Sequence, residues 1–204
     1  MKCRHCGAED FWPFLDLGTA PPSNSYVAAD ALSAPELWYP LIIRTCSHCL
    51  LTQTEDFASR ETFFSESYAY FSSFSTSWVN HAKAYVETMA GHYGLNEQST
   101  MVEIAANDGY LLQFAKERGI RCLGVEPTAS TAAAARKKGI EIVEEFFGTA
   151  LARELVARGW QADLTAANNV LAHVPDINDF VAGFAILLKP EGVATFEFPH
   201  LLNM

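Results

Sequence analysis

Basic residues are scarce in this sequence. It contains 14 Lys and Arg against 24 Asp and Glu, which gives a formal net charge of −10. A surface of that sign repels phosphate backbones, so the composition disfavours a nucleic-acid partner. It also requires that any site for a phosphorylated small molecule be locally basic.

Long apolar runs are missing too. No stretch approaches the roughly 20 apolar residues that a membrane span needs. The chain begins Met-Lys-Cys with no apolar segment behind it, which argues against a secretory signal. Hydrophobic residues still make up 50% of the sequence, enough to bury a core. These features predict a cytoplasmic globular protein without a membrane partner.

Two regions that differ in composition and in hydrophobic periodicity predict two domains. Residues 1–75 are rich in aromatics, Pro and Ser and show no sustained helical period. Residues 76–204 alternate amphipathic stretches with five short apolar runs. The predicted strands are 101–105, 121–126, 140–143, 163–168 and 193–198. The predicted helices are 76–92, 110–118, one capped by Thr128 or Ser130 that ends at Gly139, 149–158 and 178–188. That alternation predicts an α/β fold, a parallel sheet joined by right-handed helical crossovers. Because the chain stops directly after the fifth predicted strand, with one sheet edge uncovered, we expect a longer gene product.

Four of the five cysteines form two C-x2-C pairs, and this spacing predicts a zinc site. Each pair aims two thiolates at one point about 2.3 Å from a metal, and two pairs complete a tetrahedron. A site filled by four thiolates leaves no position for water, so the metal is predicted to be structural. Two disulfides or four unrelated core cysteines are the alternatives, and His5 or His48 could replace one ligand. The predicted ligands are Cys3, Cys6, Cys46 and Cys49.

A cofactor site is predicted where the first parallel strand meets its helix. The stretch Val102–Gly109 carries small residues at the carboxyl edge of the sheet, where open α/β sheets bind ligands. Its glycine signature is diluted, because Ala105 and Asn107 stand where glycines are usual. Leu50, after the second cysteine pair, likewise replaces an expected glycine. For Val102–Gly109, an ordinary strand-turn-helix connection is the alternative to a cofactor site.

Acidic residues favour one cofactor class over another. Glu126 closes the second strand, where a carboxylate accepts hydrogen bonds from the ribose hydroxyls of an adenosine. The missing glycines disfavour a dinucleotide, whose pyrophosphate needs a cradle at the helix N-terminus. Glu103 and Asp108 suit a ligand with net positive charge, so the sequence predicts S-adenosylmethionine (SAM).

The segment after the fourth strand supplies the last candidate residues. Asn168 and Asn169 can present carbonyl and amide groups to the amino-acid portion of the cofactor. His173 follows, beside the expected methyl group, although a packed or helix-capping imidazole is the alternative. The complete set of predicted cofactor contacts is Glu103, Ala105, Asn107, Asp108, Gly109, Glu126, Pro127, Phe147, Asn168 and Asn169.

Taken together, these motifs resemble the sugar C-methyltransferase family, over nearly the whole chain. The likeness includes both cysteine pairs, Tyr68–Ser73, Asn107–Leu112, Asn168–Asp176 and Phe196–His200. The resemblance implies a class I methyltransferase with a Rossmann-like sheet, which is truncated here after strand five. It also implies a small zinc module on the N-terminal side of this domain. It implies C-methylation of a nucleotide-linked 4-keto deoxysugar through an enolate, with Tyr68 and His173 lining the active site. It also implies a histidine base and a C-terminal domain beyond residue 204.

Three other functions remain open from sequence alone. The first is a SAM-dependent O- or N-methyltransferase of a small metabolite. The second is a non-catalytic zinc- and SAM-binding interaction module, and the third an NAD-dependent oxidoreductase. For Tyr68 and Tyr70, an aromatic surface between domains is the alternative to a catalytic role. The sequence does not specify the sugar, the methylated carbon or the oligomeric state.

Overall fold

The structure, a computed structural model, describes residues 1–59, 64 and 68–200. They divide into two compact units. The N-terminal unit comprises Met1–Tyr70 with Pro175–Asn178, and the second comprises Phe71–Val174 with Asp179–Met204. The domain boundary predicted at residue 75 stays a prediction.

The N-terminal unit contains a three-stranded antiparallel sheet in the order β1-β2-β3. Its strands are β1 (Phe11–Ala20), β2 (Tyr39–Cys46) and β3 (Thr52–Thr54). The sequence did not predict these strands. The reason is that β1 is an edge strand exposed along almost its whole length, so its apolar residues do not alternate with polar ones.

The second unit contains the predicted parallel sheet. Its strands lie in the order β6-β5-β4-β7-β8, and every neighbouring pair is parallel. They are β4 (Thr100–Ile104), β5 (Arg121–Val125), β6 (Glu141–Val143), β7 (Ala162–Asn168) and β8 (Leu188–Glu197). The α/β fold class and the five-stranded parallel sheet are therefore confirmed.

Helices connect these strands near the predicted bounds. They are α1 (Thr76–Tyr93), α2 (Leu112–Glu117), α3 (Ala129–Lys137), α4 (Thr149–Ala157) and α5 (Ile177–Leu187). The Ser75 side chain caps α1 by accepting from the Trp78 amide at 3.3 Å, and Gly94 ends the helix with a φ of 63°. Thr128 is the N-cap of α3, as predicted, but its side chain makes no capping hydrogen bond.

Two apolar layers cover the two faces of this sheet, because side chains alternate along each parallel strand. Met101 of β4 lies in one layer, packed with residues of α1, α2 and α3. Its neighbour Val102 lies in the other, packed with residues of α4 and α5. No helix among the described residues is long and apolar enough to cross a membrane.

The strand order fixes where a ligand can bind. The order reverses between β4 and β7, since β5 and β6 extend the sheet on one side and β7 and β8 on the other. In open α/β sheets the crevice outside the carboxyl ends of the strands at such a reversal is the usual binding site. Ala105, after β4, and Asn168, the last residue of β7, flank this crevice.

Candidate zinc and cofactor sites

The four predicted zinc ligands lie together in the N-terminal unit. The Sγ atoms of Cys3, Cys6, Cys46 and Cys49 are all within 4.8 Å of one another. Cys3 and Cys49 approach to 3.5 Å, and Cys6 and Cys46 to 3.6 Å, between sulfur atoms. All four are free thiols and they cluster, so neither two disulfides nor four unrelated core cysteines describes them. Four convergent thiols fit a tetrahedral structural zinc site.

The two cysteine turns share one backbone design. The amide of Gly7 donates to the Cys3 carbonyl at 2.9 Å, and the amide of Leu50 donates to the Cys46 carbonyl at 3.0 Å. Both of these residues have a positive φ, 76° at Gly7 and 65° at Leu50. Leu50 therefore keeps the left-handed conformation of the glycine it replaces, at a conformational cost that glycine avoids.

Groups around Cys3 favour its thiolate form. Burial opposes ionisation of Cys3, but hydrogen bonds from the Cys6 amide and the Gln53 side chain outweigh it and lower the pKa to about 6. Gln53 Nε2 lies 3.3 Å from Cys3 Sγ. The His5 ring is engaged elsewhere, because its Nδ1 lies 2.8 Å from Oδ1 of Asn178 in the same unit. The geometry thus favours Cys6 over His5 as the ligand from the first pair.

The loop after β4 keeps the backbone conformation of a glycine-rich loop, although two of the expected glycines are replaced. Ala105 has a φ of 58° and Asn107 a φ of 49°, so both occupy the left-handed region. Gly109 follows with a φ of 73°, and a Cβ there would lie 3.2 Å from Ala135 Cβ. The replaced glycines were expected to weaken the cofactor signature, yet the loop retains its shape. A backbone held in this strained region is typical of ligand sites.

Three carboxylates cluster at this edge of the sheet. Glu126 is 5% exposed, and its two oxygens accept hydrogen bonds at 2.9 Å from the amides of Asn107 and Thr128. Glu103 is fully buried, and neither of its oxygens makes a hydrogen bond of normal geometry within the described residues. Burial raises the pKa of Glu103 well above its usual value, and the charges of Glu126 and Asp108 raise it further.

The end of β7 joins this cluster through Tyr110. Nδ2 of Asn168 donates to the Tyr110 hydroxyl at 3.2 Å, and that hydroxyl also favours the charged form of Glu103. Asn169 has a φ of 53°, and its amide donates to the Glu197 carbonyl at 2.7 Å. Asn168 and Glu103, predicted to contact one cofactor, are therefore linked through a single tyrosine.

His173 lies at the same edge of the sheet. It closes a 3-10 turn, Leu171–His173, that directly follows β7, and its amide donates to the Val170 carbonyl at 2.8 Å. The residue is exposed, yet partial loss of hydration around the ring lowers the pKa of its imidazole, so the neutral ring predominates at neutral pH. A neutral imidazole can accept a proton or share a hydrogen bond with a carbonyl oxygen.

The structure also describes the other three predicted site residues, Phe147, Pro127 and Tyr68. Phe147 is 8% exposed and packs its ring against Phe180 and Phe184, in the apolar layer on α4 and α5. Pro127 is half-buried immediately after Glu126. Tyr68 belongs to the N-terminal unit, where its ring centroid lies 5.5 Å from that of Phe64. Their cofactor and catalytic roles stay predictions.

Sequence reasoning assigned no role to two groups that meet at the cofactor loop. The Ser72 amide donates to Asn107 Oδ1 at 2.9 Å, and the Ser73 amide donates to Asp108 Oδ2 at 3.3 Å. Lys138 Nζ donates to Ser73 Oγ at 2.6 Å and lies 3.4 Å from Asp108 Oδ2. The motifs Tyr68–Ser73 and Asn107–Leu112 were noted in the sequence, but only the structure shows that they touch.

Comparison with known families matches both parts of the chain. Residues 3–64 match a zinc binding domain family, and residues 102–194 match a methyltransferase domain family. The C-methyltransferase NovU of Streptomyces niveus is 27% identical over 203 residues, covering 100% of this chain and 48% of NovU. The zinc-binding and methyltransferase regions that the sequence predicts are therefore each similar to a known domain family. The chain spans about half the length of this curated relative.

Two solved structures are similar to part of this chain. Streptomyces venezuelae DesVI is 17% identical with a TM-score of 0.49, covering 62% of this chain and 53% of DesVI. The glycopeptide N-methyltransferase MtfA, complexed with sinefungin, is 16% identical with a TM-score of 0.46. That likeness covers 56% of this chain and 53% of MtfA.

The residues at both sites fit the two predicted cofactors. Four convergent thiols inside a zinc binding domain fit a structural zinc ion. At the cofactor edge, two buried oxygens of Glu103 and one of Asp108 make no hydrogen bond of normal geometry within the described part of the chain. Unpaired buried acceptors are costly, so this edge is suited to a ligand that brings donors and positive charge. SAM has both, and a methyltransferase domain uses it as the methyl donor.

Proposed function

We propose that the whole protein methylates a carbon atom beside the ketone of a nucleotide-linked keto-deoxysugar. The observation that carries this proposal is the likeness to a C-methyltransferase over the full chain, including both the zinc and the methyltransferase regions. Since the chain spans 48% of that relative, activity and substrate are proposed for the protein as a whole.

The chemistry requires a carbon acid and a positioned base. A hydrogen on the carbon next to a ketone is acidic enough for a protein base to remove it, which leaves an enolate. SAM, when bound, supplies an electrophilic methyl group for that carbon. In the balanced reaction a C–H bond of the sugar and the sulfur–methyl bond of SAM would break and one carbon–carbon bond would form. The proton would go to the base and S-adenosylhomocysteine would leave, so no oxidant is consumed.

The described residues divide this work between binding and chemistry. Glu126, Asn168 and the loop after β4 hold the cofactor at the carboxyl edge of the sheet. His173, at the same edge, polarises the ketone or shares the proton, because its imidazole is neutral. Tyr68 serves as a second contact to the developing oxyanion.

The decisive experiment identifies the atom that is methylated. The longest protein that the gene encodes is incubated with ¹³C-methyl-labelled SAM and a nucleotide-linked 4-keto deoxysugar, and the product is analysed by two-dimensional NMR. We expect the labelled methyl on the carbon next to the carbonyl. The matched control is the same nucleotide sugar with its ketone reduced to a hydroxyl, which has no acidic C–H and should give no product.

Other outcomes would replace the proposal. A label on oxygen or nitrogen would make the protein an O- or N-methyltransferase. Cofactor binding without turnover on any keto-sugar would favour a non-catalytic binding module.

A further inference from the structure

We propose that Lys138 is a positioning residue that latches the segment Phe71–Ser75 onto the cofactor loop, so that this segment forms one wall of the SAM site. The inference rests on the proposed cofactor site at the carboxyl edge of the sheet. Nothing in the comparisons assigns a role to Lys138 or to this segment.

The segment is a short turn pinned by its own backbone. Ser72–Phe74 forms a 3-10 turn, in which the Phe74 amide donates to the Phe71 carbonyl at 3.1 Å. The amides of Ser72 and Ser73 point outward from this turn to the side chains of Asn107 and Asp108. Ser72 is 5% exposed, so its hydrogen bond to Asn107 is shielded from water.

Asn107 and Asp108 are the central residues of the cofactor loop. Both are buried, at 8% and 3% exposure, and both side chains are directed to the turn. These two residues therefore have two roles: they contact the cofactor, and their side chains hold the segment Phe71–Ser75 against the loop. Any motion of the turn changes the hydrogen bonds of the loop.

Lys138 closes this arrangement from the opposite helix. It follows α3 as the C-cap residue, and its ammonium group reaches both Ser73 Oγ at 2.6 Å and Asp108 Oδ2 at 3.4 Å. One cation thus bridges the turn and the loop. Asp108 is a buried carboxylate, and the ion pair places the positive charge of Lys138 beside it.

The latch has a functional consequence. A turn held against the loop excludes water from the cofactor edge, and a ligand that binds there does not have to order the segment first. Preorganisation of this kind strengthens binding by reducing the ordering cost. Without Lys138 we expect the segment to open more often and the cofactor product S-adenosylhomocysteine (SAH) to bind more weakly.

The test is a double-mutant cycle on this chain with SAH as the probe. Lys138→Met removes the cation, Ser73→Ala removes its hydroxyl partner while leaving the ion pair with Asp108, and the double variant removes both. Lys137→Met is the matched control, since Lys137 is exposed on the same helix end. Calorimetry should show SAH affinity weakened about tenfold by Lys138→Met and less by Ser73→Ala.

Coupling distinguishes a latch from a general charge effect. The double variant should bind SAH no more weakly than Lys138→Met alone, because both changes break one contact. In cofactor-free protein, the peptide that contains Ser72 and Ser73 should lose its protection from hydrogen exchange in Lys138→Met but not in Lys137→Met. Additive affinity losses, or unchanged exchange in Lys138→Met, would overturn the latch.

The exchange measurement also separates this proposal from the cofactor assignment. If the wild-type chain fails to bind SAH, the cofactor site and the function of the latch are overturned together. The amide protection then still decides whether Lys138 holds the turn.

Discussion

At the scale of single residues, Glu126 is the clearest test of the cofactor site. Its carboxylate already holds the amides of Asn107 and Thr128 and retains lone pairs for ribose hydroxyls. Glu126→Gln can satisfy these donors only in part. We expect SAH affinity to fall by roughly tenfold to a hundredfold, the equivalent of about 1.5–3 kcal/mol.

Calorimetry measures this loss, with Glu145→Gln as the matched control because Glu145 is an exposed acid after β6. Thermal melting of Glu126→Gln shows whether the lost backbone contacts also lower stability. Unchanged SAH binding in the folded variant would place the ribose elsewhere.

His173 tests the chemistry. If it polarises the keto-sugar or shares its proton, His173→Asn should reduce turnover by about 10²–10⁴-fold, as loss of an acid–base or oxyanion contact does. SAH affinity should stay within a few fold, because other residues carry it. His92→Asn, an exposed imidazole on the last turn of α1, should leave turnover unchanged.

The pH profile adds a second readout for His173. Because burial lowers the pKa of its imidazole, the neutral form persists to lower pH than for a free histidine. Wild-type turnover should therefore fall as pH drops through that lowered pKa, and His173→Asn should lose this acidic limb. Equal loss of SAH binding in the variant would instead make His173 a cofactor or structural residue.

At the scale of turns and strands, the two cysteine turns differ in one residue of the same backbone conformation, Leu50 in one turn and Gly7 in the other. Leu50 has a φ of 65° and is 63% exposed, whereas its counterpart Gly7 has a φ of 76° without a side chain. Leu50→Gly removes a left-handed strain of about 1 kcal/mol and gives up little burial. Part of the gain is offset by the greater freedom of glycine in the unfolded chain.

We expect Leu50→Gly to retain zinc slightly better than wild type in competition with a chelator. Gly7→Ala is the reciprocal variant, and it should weaken zinc retention because it introduces the strain that Leu50 tolerates. Weaker zinc binding by Leu50→Gly would mean that the leucine side chain stabilises the module.

The parallel sheet could be predicted because its strands are buried on both faces. Such strands read as short apolar runs between amphipathic helices, and β4, β5 and β7 lie within a residue or so of the predicted bounds. The strand β1 was missed because exposure on both faces leaves no period in its sequence. The hydrophobic pattern that predicts a strand is thus produced by burial and not by strand formation itself.

The candidate site was predictable in part, for a related reason. Side chains such as Glu126 and Asn168 can be recognised at strand ends, since topology brings the carboxyl ends together. The bonds from the Ser72 and Ser73 amides cannot, because backbone donors leave no trace in residue identity. Phe147 packs its ring against Phe180 and Phe184, and its predicted contact with the cofactor stays a prediction.

At the scale of the whole molecule, two units carry two different sources of stability. The second unit has apolar layers on both faces of a five-stranded sheet. The N-terminal unit has a small sheet whose first strand is largely exposed, with four clustered cysteines. A unit with so little buried apolar surface needs another source of stability, and zinc is the candidate that its cysteines support.

Loss of zinc should therefore affect the two units unequally. We expect one zinc per chain, bound by Cys3, Cys6, Cys46 and Cys49, and metal analysis after gel filtration should give a ratio near one. Cys46→Ser should abolish that zinc and unfold the N-terminal unit, because structural zinc contributes on the order of 10 kcal/mol in small metal domains. Hydrogen exchange should show β1 to β3 deprotected while β4, β5 and β7 stay protected.

Cys122→Ser is the matched control, since this fifth cysteine lies in β5 and should leave the zinc content unchanged. A wild-type protein that is folded throughout yet free of metal would refute the zinc assignment, and deprotection of β4 in Cys46→Ser would show that the parallel sheet also depends on the metal.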